Sequence, residues 1–138
     1  MKDFSGKKLL ILAGADVHRK VVSAAKEKGA YVIVTDCLAL QRSPAKQMAD
    51  DYWDLDINDI EAIVAKCKES QVDGVLNYAI EPASKPYCEI CSKLNLPCYG
   101  TLEQFEIMMD KRLFKDFCIK NGVDVIPEYS ISDNGQLN

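Results

Sequence analysis

Short runs of apolar residues alternate along the chain with segments in which apolar residues recur at helical spacing. Short apolar runs bounded by turn residues predict buried strands, and this rhythm predicts βαβ units. Five strands are predicted, at 8–13, 31–35, 51–53, 74–77 and 98–99. Helices are predicted at 17–28, from a capping box at 58–61 onward, at 86–94 and, from a second capping box, at 101–109.

Alternation of this kind requires a parallel sheet, because a right-handed crossover through a helix brings the chain back in the same direction. We therefore predict an α/β fold with a doubly wound, mainly parallel five-stranded sheet and helices on both faces, a Rossmann-like arrangement. Ligands bind such sheets at the carboxyl ends of the strands, where the winding reverses. The loops at 14–19 and 78–84 are therefore the candidate site.

A further helix, over 110–121, has an unusual charge distribution at its start. It is predicted from four apolar residues at helical spacing, Leu113, Phe114, Phe117 and Cys118. Asp110 is a natural N-cap. Lys111 and Arg112 occupy the first turn, where the helix dipole disfavours basic side chains by roughly 0.3 to 1 kcal/mol each. A bound phosphate would reverse that sign, so the pair indicates an anion site.

The chain after this helix changes structure sharply. Asn121 and Gly122 favour a left-handed stop, and Pro127 prevents a return to helix. An abrupt strand is predicted up to Tyr129. The polar tail at 130–138 is interpreted as a linker or the start of a hairpin.

This junction resembles a known family. The sequence MMDKRLFKDFCIKNGVDVIPEY, at 108–129, is similar to the junction between the first domain and the ATP-binding domains of the ATP-grasp superfamily, which includes biotin carboxylase, the carbamoyl phosphate synthase large subunit and phosphoribosylglycinamide synthetase. The segment SPAKQMADDYW, at 43–53, resembles the turn before the third strand of that family. The resemblance covers residues 7–129, nearly the whole chain.

The resemblance implies a pre-ATP-grasp domain at 1–109 and, at 110–138, a linking helix and the start of an ATP-binding domain. The implied function is that of the N-terminal, substrate-side domain of an ATP-dependent carboxylate ligase, which forms an acylphosphate that a nucleophile then attacks. ATP and magnesium would act in the full-length enzyme, whose magnesium ligands belong to later domains. We therefore expect no catalytic residue, no metal site and no tightly bound cofactor in this chain, which should not turn over alone.

The same resemblance implies roles for five residues. Lys111 matches the basic residue that contacts ATP phosphates. Gly14, His18 and Arg19 in the first loop, and Glu81 in the second, match positions that face a small-molecule carboxylate substrate. Plainer interpretations exist, with Lys111 and Glu81 as solvated charges, and with His18 and Arg19 as exposed residues of an amphipathic helix.

Three local features of the sequence bear on the two candidate loops. Pro82 favours extended geometry at Glu81, which would direct that side chain across the crevice. The first loop, GADVHR, lacks the later glycines of a GxGxxG dinucleotide fingerprint and has Asp16 where a pyrophosphate would lie. Asp36, at the end of the second strand, could hold ribose hydroxyls but is better explained as a residue that caps a turn.

Composition limits the classes of function. The chain has 138 residues with 48% hydrophobic content, which suits one globular core. A net charge of -4 and a pI near 5.0 argue against nucleic-acid and membrane partners. The apolar run at 9–13 is too short for a signal peptide or a membrane span, so we expect a cytoplasmic protein. A homodimer is compatible with these features.

The six cysteines are interpreted as reduced thiols in a core. Cys88 and Cys91 form a CxxC with Cys98 nearby, but Cys91 lies on a helical apolar stripe. A zinc site would need a further ligand, and the single histidine, His18, is distant in sequence.

Two other classes of protein are alternatives to the ligase domain. The first is a non-catalytic Rossmann-like module for small-molecule binding or docking, and the second is a nucleotide-cofactor oxidoreductase.

We expect that NAD(H) and NADP(H) do not bind, because the glycine pattern fails and Asp16 would repel the pyrophosphate. A nicotinamide-fluorescence titration at physiological salt should show no saturable change. A saturable titration would revive the oxidoreductase interpretation.

Overall fold

A computed structural model describes residues 3–127 and 129. The tail at 130–138, interpreted above as a linker or hairpin, lies outside the described residues. The chain divides into two compact units, the first ending at Phe105 and the second beginning at Glu106. The assignment of 1–109 to a pre-ATP-grasp domain, and of 110–138 to a linking helix and the start of an ATP-binding domain, remains a prediction.

The first unit is built on a parallel sheet. Its four strands are β1 Lys8–Leu12, β2 Tyr31–Thr35, β3 Asp51–Trp53 and β4 Gly74–Asn77. β1 pairs in parallel with both β2 and β4, and β2 pairs with β3, so the order across the sheet is β3-β2-β1-β4. The chain winds outward from β1 to β3 and then returns to the other side of β1. The winding therefore reverses between β1 and β4.

The described residues form five α-helices. They are α1 Arg19–Glu27, α2 Ile60–Ser70, α3 Ser84–Leu94, α4 Leu102–Met109 and α5 Lys111–Lys120. Short 3-10 turns occur at Asp16–His18, Leu40–Arg42, Lys46–Met48 and Glu81–Ala83. No helix in the part of the chain that the structure describes is long and apolar enough to cross a bilayer.

Each face of the sheet has its own core, because alternate residues of a strand point to opposite faces. Ile11 and Val32 belong to a cluster that includes residues of α1. Leu10, Leu12 and Ile33 belong to a second cluster, which includes residues of α2 and α3. The prediction of a doubly wound, Rossmann-like α/β fold with helices on both faces is therefore confirmed.

The sheet has four strands, so the predicted fifth strand at 98–99 is wrong. Tyr99 instead contacts the end of β4 through its side chain. Its hydroxyl donates to the Asn77 carbonyl oxygen at 3.0 Å, and its ring stacks on Tyr87 with centroids 4.5 Å apart. A two-residue apolar run offers little ladder pairing, and aromatic packing takes its place.

The two capping boxes have different outcomes. The box at 101–104 is confirmed, because Thr101 N donates to Gln104 Oε1 at 2.9 Å and Gln104 N donates to Thr101 Oγ1 at 3.2 Å. The box at 58–61 is wrong, since α2 begins after Asp59 without a side-chain cap. Asn58 instead donates its backbone N–H to Asp56 at 2.8 Å, which closes a local turn.

The second unit contains α5, whose start is as predicted. The Asp110 carboxylate accepts hydrogen bonds from Arg112 N at 2.8 Å and Leu113 N at 3.1 Å. The left-handed stop is confirmed at Gly122, with φ of 70°. No strand is present at 123–127, so the predicted abrupt strand is wrong for those residues. Among the four apolar residues from which the helix was predicted, Cys118 is buried, whereas the other three are 47% to 49% exposed.

A lysine that the sequence analysis did not single out is buried beside the sheet. The Lys46 side chain is 0% exposed. Its ammonium donates to the carbonyl oxygens of Asp36 and Leu38 at 2.5 and 2.6 Å, and to Asp54 Oδ1 at 2.7 Å. These acceptors lie in the segments after β2 and β3, so one buried cation links the two strand ends.

We expect Lys46→Met to lower the free energy of unfolding by about 2 to 4 kcal/mol, because the acceptors would lose a charged donor while remaining partly buried. Urea denaturation followed by circular dichroism measures the change. Lys68→Met, at an exposed position of α2, is the matched control and should stay within about 0.5 kcal/mol of the parent. Equal stability of both variants would show that Lys46 is not a structural link.

Candidate functional site

The candidate site lies where the winding reverses, at the carboxyl ends of β1 and β4. Leu12 is the register partner of Asn77, so the loops that follow these two strands start side by side. An alanine within the first two residues after each strand has left-handed geometry, Ala13 with φ of 72° and Ala79 with φ of 58°. Such geometry is costly for a residue with a side chain and is concentrated at functional sites.

Gly14 is buried and held by contacts within the protein. Its N–H donates to Asp36 Oδ2 at 2.6 Å, and its carbonyl oxygen accepts from Ala45 N at 3.0 Å and Ser43 Oγ at 3.2 Å. A Cβ at this position would lie 1.9 Å from Ser43 Oγ. The glycine is therefore required for close packing, and its predicted contact with a substrate stays a prediction.

Asp36 has the turn-capping role preferred in the sequence analysis. One carboxylate oxygen accepts from Gly14 N, and the other accepts from Leu38 N at 2.8 Å. Ser43 Oγ lies 3.4 Å from the first oxygen. The carboxylate is thus engaged by protein donors at the place where a dehydrogenase would bind ribose.

His18 is fully buried, so its interpretation as an exposed helix residue is wrong. It ends the 3-10 turn at Asp16–His18, just before α1. Its Nδ1 lies 3.3 Å from the Ala15 carbonyl oxygen, and its ring meets the Tyr78 ring edge-on with centroids 6.4 Å apart. The two loops therefore touch through these two rings.

Arg19 starts α1 and is exposed, as the plainer interpretation expects. Its Nη1 lies 3.3 Å from Asp16 Oδ1, and its Nε lies 3.2 Å from Met48 Sδ. Both partners of the ion pair are well solvated, so the pair contributes little to stability. A ligand could therefore compete for the guanidinium at small cost.

Glu81 is exposed and opens the 3-10 turn at Glu81–Ala83, so the predicted extended geometry is wrong. The restriction before proline is a preference, and Pro82 sits in the first turn, where its missing N–H is not needed. The extended residue is Ile80, with φ of -121° and ψ of 97°. The role of Glu81 toward a substrate stays a prediction.

An open depression of about 780 Å³ borders the two loops. Its lining residues are Asp16, Val17, Arg19, Lys20, Ser23, Ala24, Glu27 and Tyr78. Of the predicted substrate residues, Arg19 lines it, whereas Gly14, His18 and Glu81 do not. Two basic and two acidic side chains share the surface, which suits a small polar molecule that carries both kinds of charge.

Lys111 belongs to the second unit, at the first position of α5, and is exposed. The two backbone hydrogen bonds that Asp110 accepts, from Leu113 and Arg112, hold the pKa of its carboxyl below the ordinary value. The helix N-terminus therefore already has an anion of its own. A phosphate bound here would be held more by the charge of the Lys111 side chain than by hydrogen bonds from unpaired backbone N–H groups.

The cysteines are free thiols within the described residues. Cys88 and Cys91 are buried in α3, and burial raises the pKa of the Cys91 thiol to about 12. These residues pack in the core that includes α2 and α3. Over residues 3–127 and 129, no group of three metal-ligating side chains is placed to hold a metal ion.

Three further side chains near the strand ends, Ser43, Asn77 and Tyr78, were not predicted from the sequence. Ser43 and Asn77 are buried, and Tyr78 is 45% exposed. A buried strand that ends in a polar residue was the available signal for Asn77. Ser43 is distant in sequence from Gly14, so only the folded chain brings the two together.

No protein-family model matches the chain. The chain is 30% identical over 129 residues to a phosphoribosylaminoimidazole carboxylase of Candida glabrata, and the match covers 90% of this chain and 21% of that enzyme.

Solved structures match the fold. A phosphoribosylglycinamide synthetase from Anaerococcus prevotii has a TM-score of 0.73 and 27% identity over 93% of this chain and 32% of that chain. An N5-carboxyaminoimidazole ribonucleotide synthetase from Thermotoga maritima has a TM-score of 0.70 and 30% identity over 92% and 34%. Another such synthetase, in complex with ADP, has the same fold at 21% identity, with a TM-score of 0.74 over 96% and 34%.

The strand order and the polar switch point define a Rossmann-like α/β binding domain. The matched enzymes are ATP-grasp enzymes, and this chain corresponds to the N-terminal domain of that superfamily. The chain spans only 21% to 34% of the length of these relatives.

We expect Gly14→Ala to lower the free energy of unfolding by about 1 to 3 kcal/mol, because the added methyl group would overlap Ser43. Adding Ser43→Gly removes that overlap, so the double variant should lose less than the sum of the two single losses. Urea denaturation of the four proteins measures this coupling.

Gly74→Ala is the control for the glycine change, since its Cβ would meet its nearest atom at 3.6 Å. This variant should be neutral or slightly stabilised. Additive losses at Gly14 and Ser43 would contradict the close-packing role of Gly14.

Proposed function

We propose that this chain is the substrate-side, N-terminal domain of an ATP-dependent carboxylate ligase. The observation that carries the proposal is the match to ATP-grasp enzymes along at least nine tenths of the chain, at up to 30% identity. The position of the polar loops supports it, because they meet at the strand ends where α/β domains bind ligands. The acylphosphate mechanism belongs to the proposal.

The substrate would bind at the switch point as a small-molecule carboxylate. Arg19 and Lys20 line the depression there and are the cations available to a carboxylate. Gly14 would act by holding the first loop in place through its contacts with Asp36 and Ser43. Glu81 would face the substrate from the second loop, as the family resemblance implies.

ATP would be held mainly by other domains. Lys111 offers an exposed ammonium for a phosphate, but the Asp110 carboxylate already accepts from two N–H groups of that helix end. When bound, ATP supplies the phosphoryl group and magnesium neutralises its phosphates. Among the described residues no carboxylate cluster fits magnesium. This chain alone should therefore bind ATP only weakly and should not turn over.

The proposal also covers the partners and the localisation of the protein. The substrate is a small molecule, without a nucleic-acid or membrane partner, and the protein works in the cytoplasm. Homodimer formation remains a prediction. The synthetase fold that has been crystallised with ADP supports a nucleotide in the full-length enzyme.

Lys111→Ala, in a chain that includes the ATP-binding domains, should reduce turnover about 100-fold, because a charge-assisted phosphate contact is worth about 2 to 3 kcal/mol. The melting temperature of the free protein should stay equal or rise slightly, since a positive charge leaves a helix N-terminus. Steady-state kinetics and thermal denaturation measure the two effects.

Lys120→Ala, in the last turn of the same helix, is the matched control. Its turnover should equal that of the parent, and its melting temperature should fall slightly because a favourable charge leaves the C-terminus. Wild-type turnover of Lys111→Ala, or a clearly lower melting temperature, would mean that Lys111 is structural and would remove the ATP contact from the proposal.

A further inference from the structure

We propose that His18 Nε2 and Asn77 Oδ1, here named the acceptor pair, bind a hydrogen-bond donor group of the ligand, an ammonium or hydroxyl group. The inference deepens the proposed function and rests on it in one respect only, that the ligand is the substrate of a ligase. The family resemblance places His18 toward the substrate without saying which group of the substrate it contacts, and it gives Asn77 no role.

Both side chains are buried while one polar atom of each lacks a partner. His18 is 0% exposed and Asn77 is 8% exposed. Neither His18 Nε2 nor Asn77 Oδ1 has a hydrogen-bond partner in the part of the chain that the structure describes. Burying a polar atom without a partner costs free energy, and such groups in a folded domain point to a ligand or a function.

The remaining contacts of the two side chains determine what the pair can bind. His18 Nδ1 lies 3.3 Å from the Ala15 carbonyl oxygen, which can only accept, so Nδ1 carries the proton. In the tautomer whose single proton is on Nδ1, Nε2 is an acceptor. Asn77 Nδ2 donates to Ser84 Oγ at 3.2 Å, which leaves Oδ1 as the second acceptor.

The two acceptors belong to the two strand ends that form the switch point. Asn77 ends β4, opposite Leu12 of β1, and His18 lies in the loop that follows β1. The next residue, Tyr78, contacts the His18 ring and also lines the open depression. Because the pair itself has no access to solvent, a ligand in the depression reaches it only after a side-chain movement, and Tyr78 is the side chain so placed.

Two acceptors select the chemistry of the ligand. A carboxylate or phosphate oxygen would face the lone pair of either acceptor and be repelled, whereas an ammonium or a hydroxyl can donate to it. The anionic end of the ligand would then lie at Arg19 and Lys20, on the depression. The site would thus distinguish the two ends of one small molecule.

The first test measures stability in the free chain. His18→Phe keeps a ring against Tyr78 and removes both the unpartnered Nε2 and the 3.3 Å contact of Nδ1 with the Ala15 carbonyl oxygen. Because a buried polar atom without a partner costs more than one long hydrogen bond contributes, the melting temperature should equal or exceed that of the parent. A fall of several degrees would show that Nε2 is satisfied inside the fold and would overturn the proposal.

The second test measures binding by NMR, with methylamine, ethylene glycol and acetate as probes of the isotope-labelled chain. Methylamine or ethylene glycol should shift the His18 and Asn77 side-chain signals saturably, and acetate should not. His18→Phe should weaken that binding by about tenfold or more. A response to acetate alone, no response to any probe, or equal binding by His18→Phe would each overturn the proposal.

Asn77→Asp tests whether the donor group of the ligand is an ammonium or a hydroxyl. The added negative charge should tighten methylamine binding if the group is an ammonium, and should leave ethylene glycol binding nearly unchanged if the group is a hydroxyl. Weaker binding of both probes would count against the acceptor pair. These assays need neither ATP nor further domains, so their failure is distinct from a failure of the Lys111 test.

Discussion

The hydrogen bond from the Gly14 amide to the Asp36 carboxylate, 2.6 Å long, holds the functional edge of the sheet together. The same carboxylate accepts from Leu38, and the Asp36 carbonyl accepts from the buried Lys46 ammonium, which also reaches Asp54. The segments after β1, β2 and β3 are thereby connected at one place. Because the Asp36 carboxylate and the Lys46 ammonium are buried, each needs its partners, and the loops have little freedom to move apart.

This network also explains how the first loop differs from a dinucleotide-binding loop. In such a loop the backbone N–H groups turn to a pyrophosphate. Here the Gly14 N–H turns to Asp36, and its carbonyl oxygen is taken by Ser43 and Ala45. The Gly14 backbone is thus satisfied within the protein, and two side chains of the first loop differ in their exposure. His18 is buried beside Tyr78, and Arg19 is exposed.

At the start of α5, in the second unit, backbone N–H groups are likewise satisfied by a carboxylate of the protein. Asp110 caps the helix, and its backbone hydrogen bonds keep the pKa of its carboxyl low, so the helix has its own anion at neutral pH. Lys111 is placed next to that carboxylate at little electrostatic cost. A role in phosphate binding would therefore depend on the reach of the lysine side chain, and the proposed function places the remaining contacts in other domains.

The sequence by itself determined the elements whose cause is local. Apolar runs located β1, β2 and β4, since a buried strand needs a continuous apolar segment, and the caps at Thr101 and Asp110 act within one turn of the chain. The tertiary structure alone decided which residues lie beside one another across long separations, such as Gly14 with Ser43. It also replaced a fifth strand with the packing of Tyr99, and it buried His18. Burial and close approach depend on the whole fold, so no local pattern could reveal them.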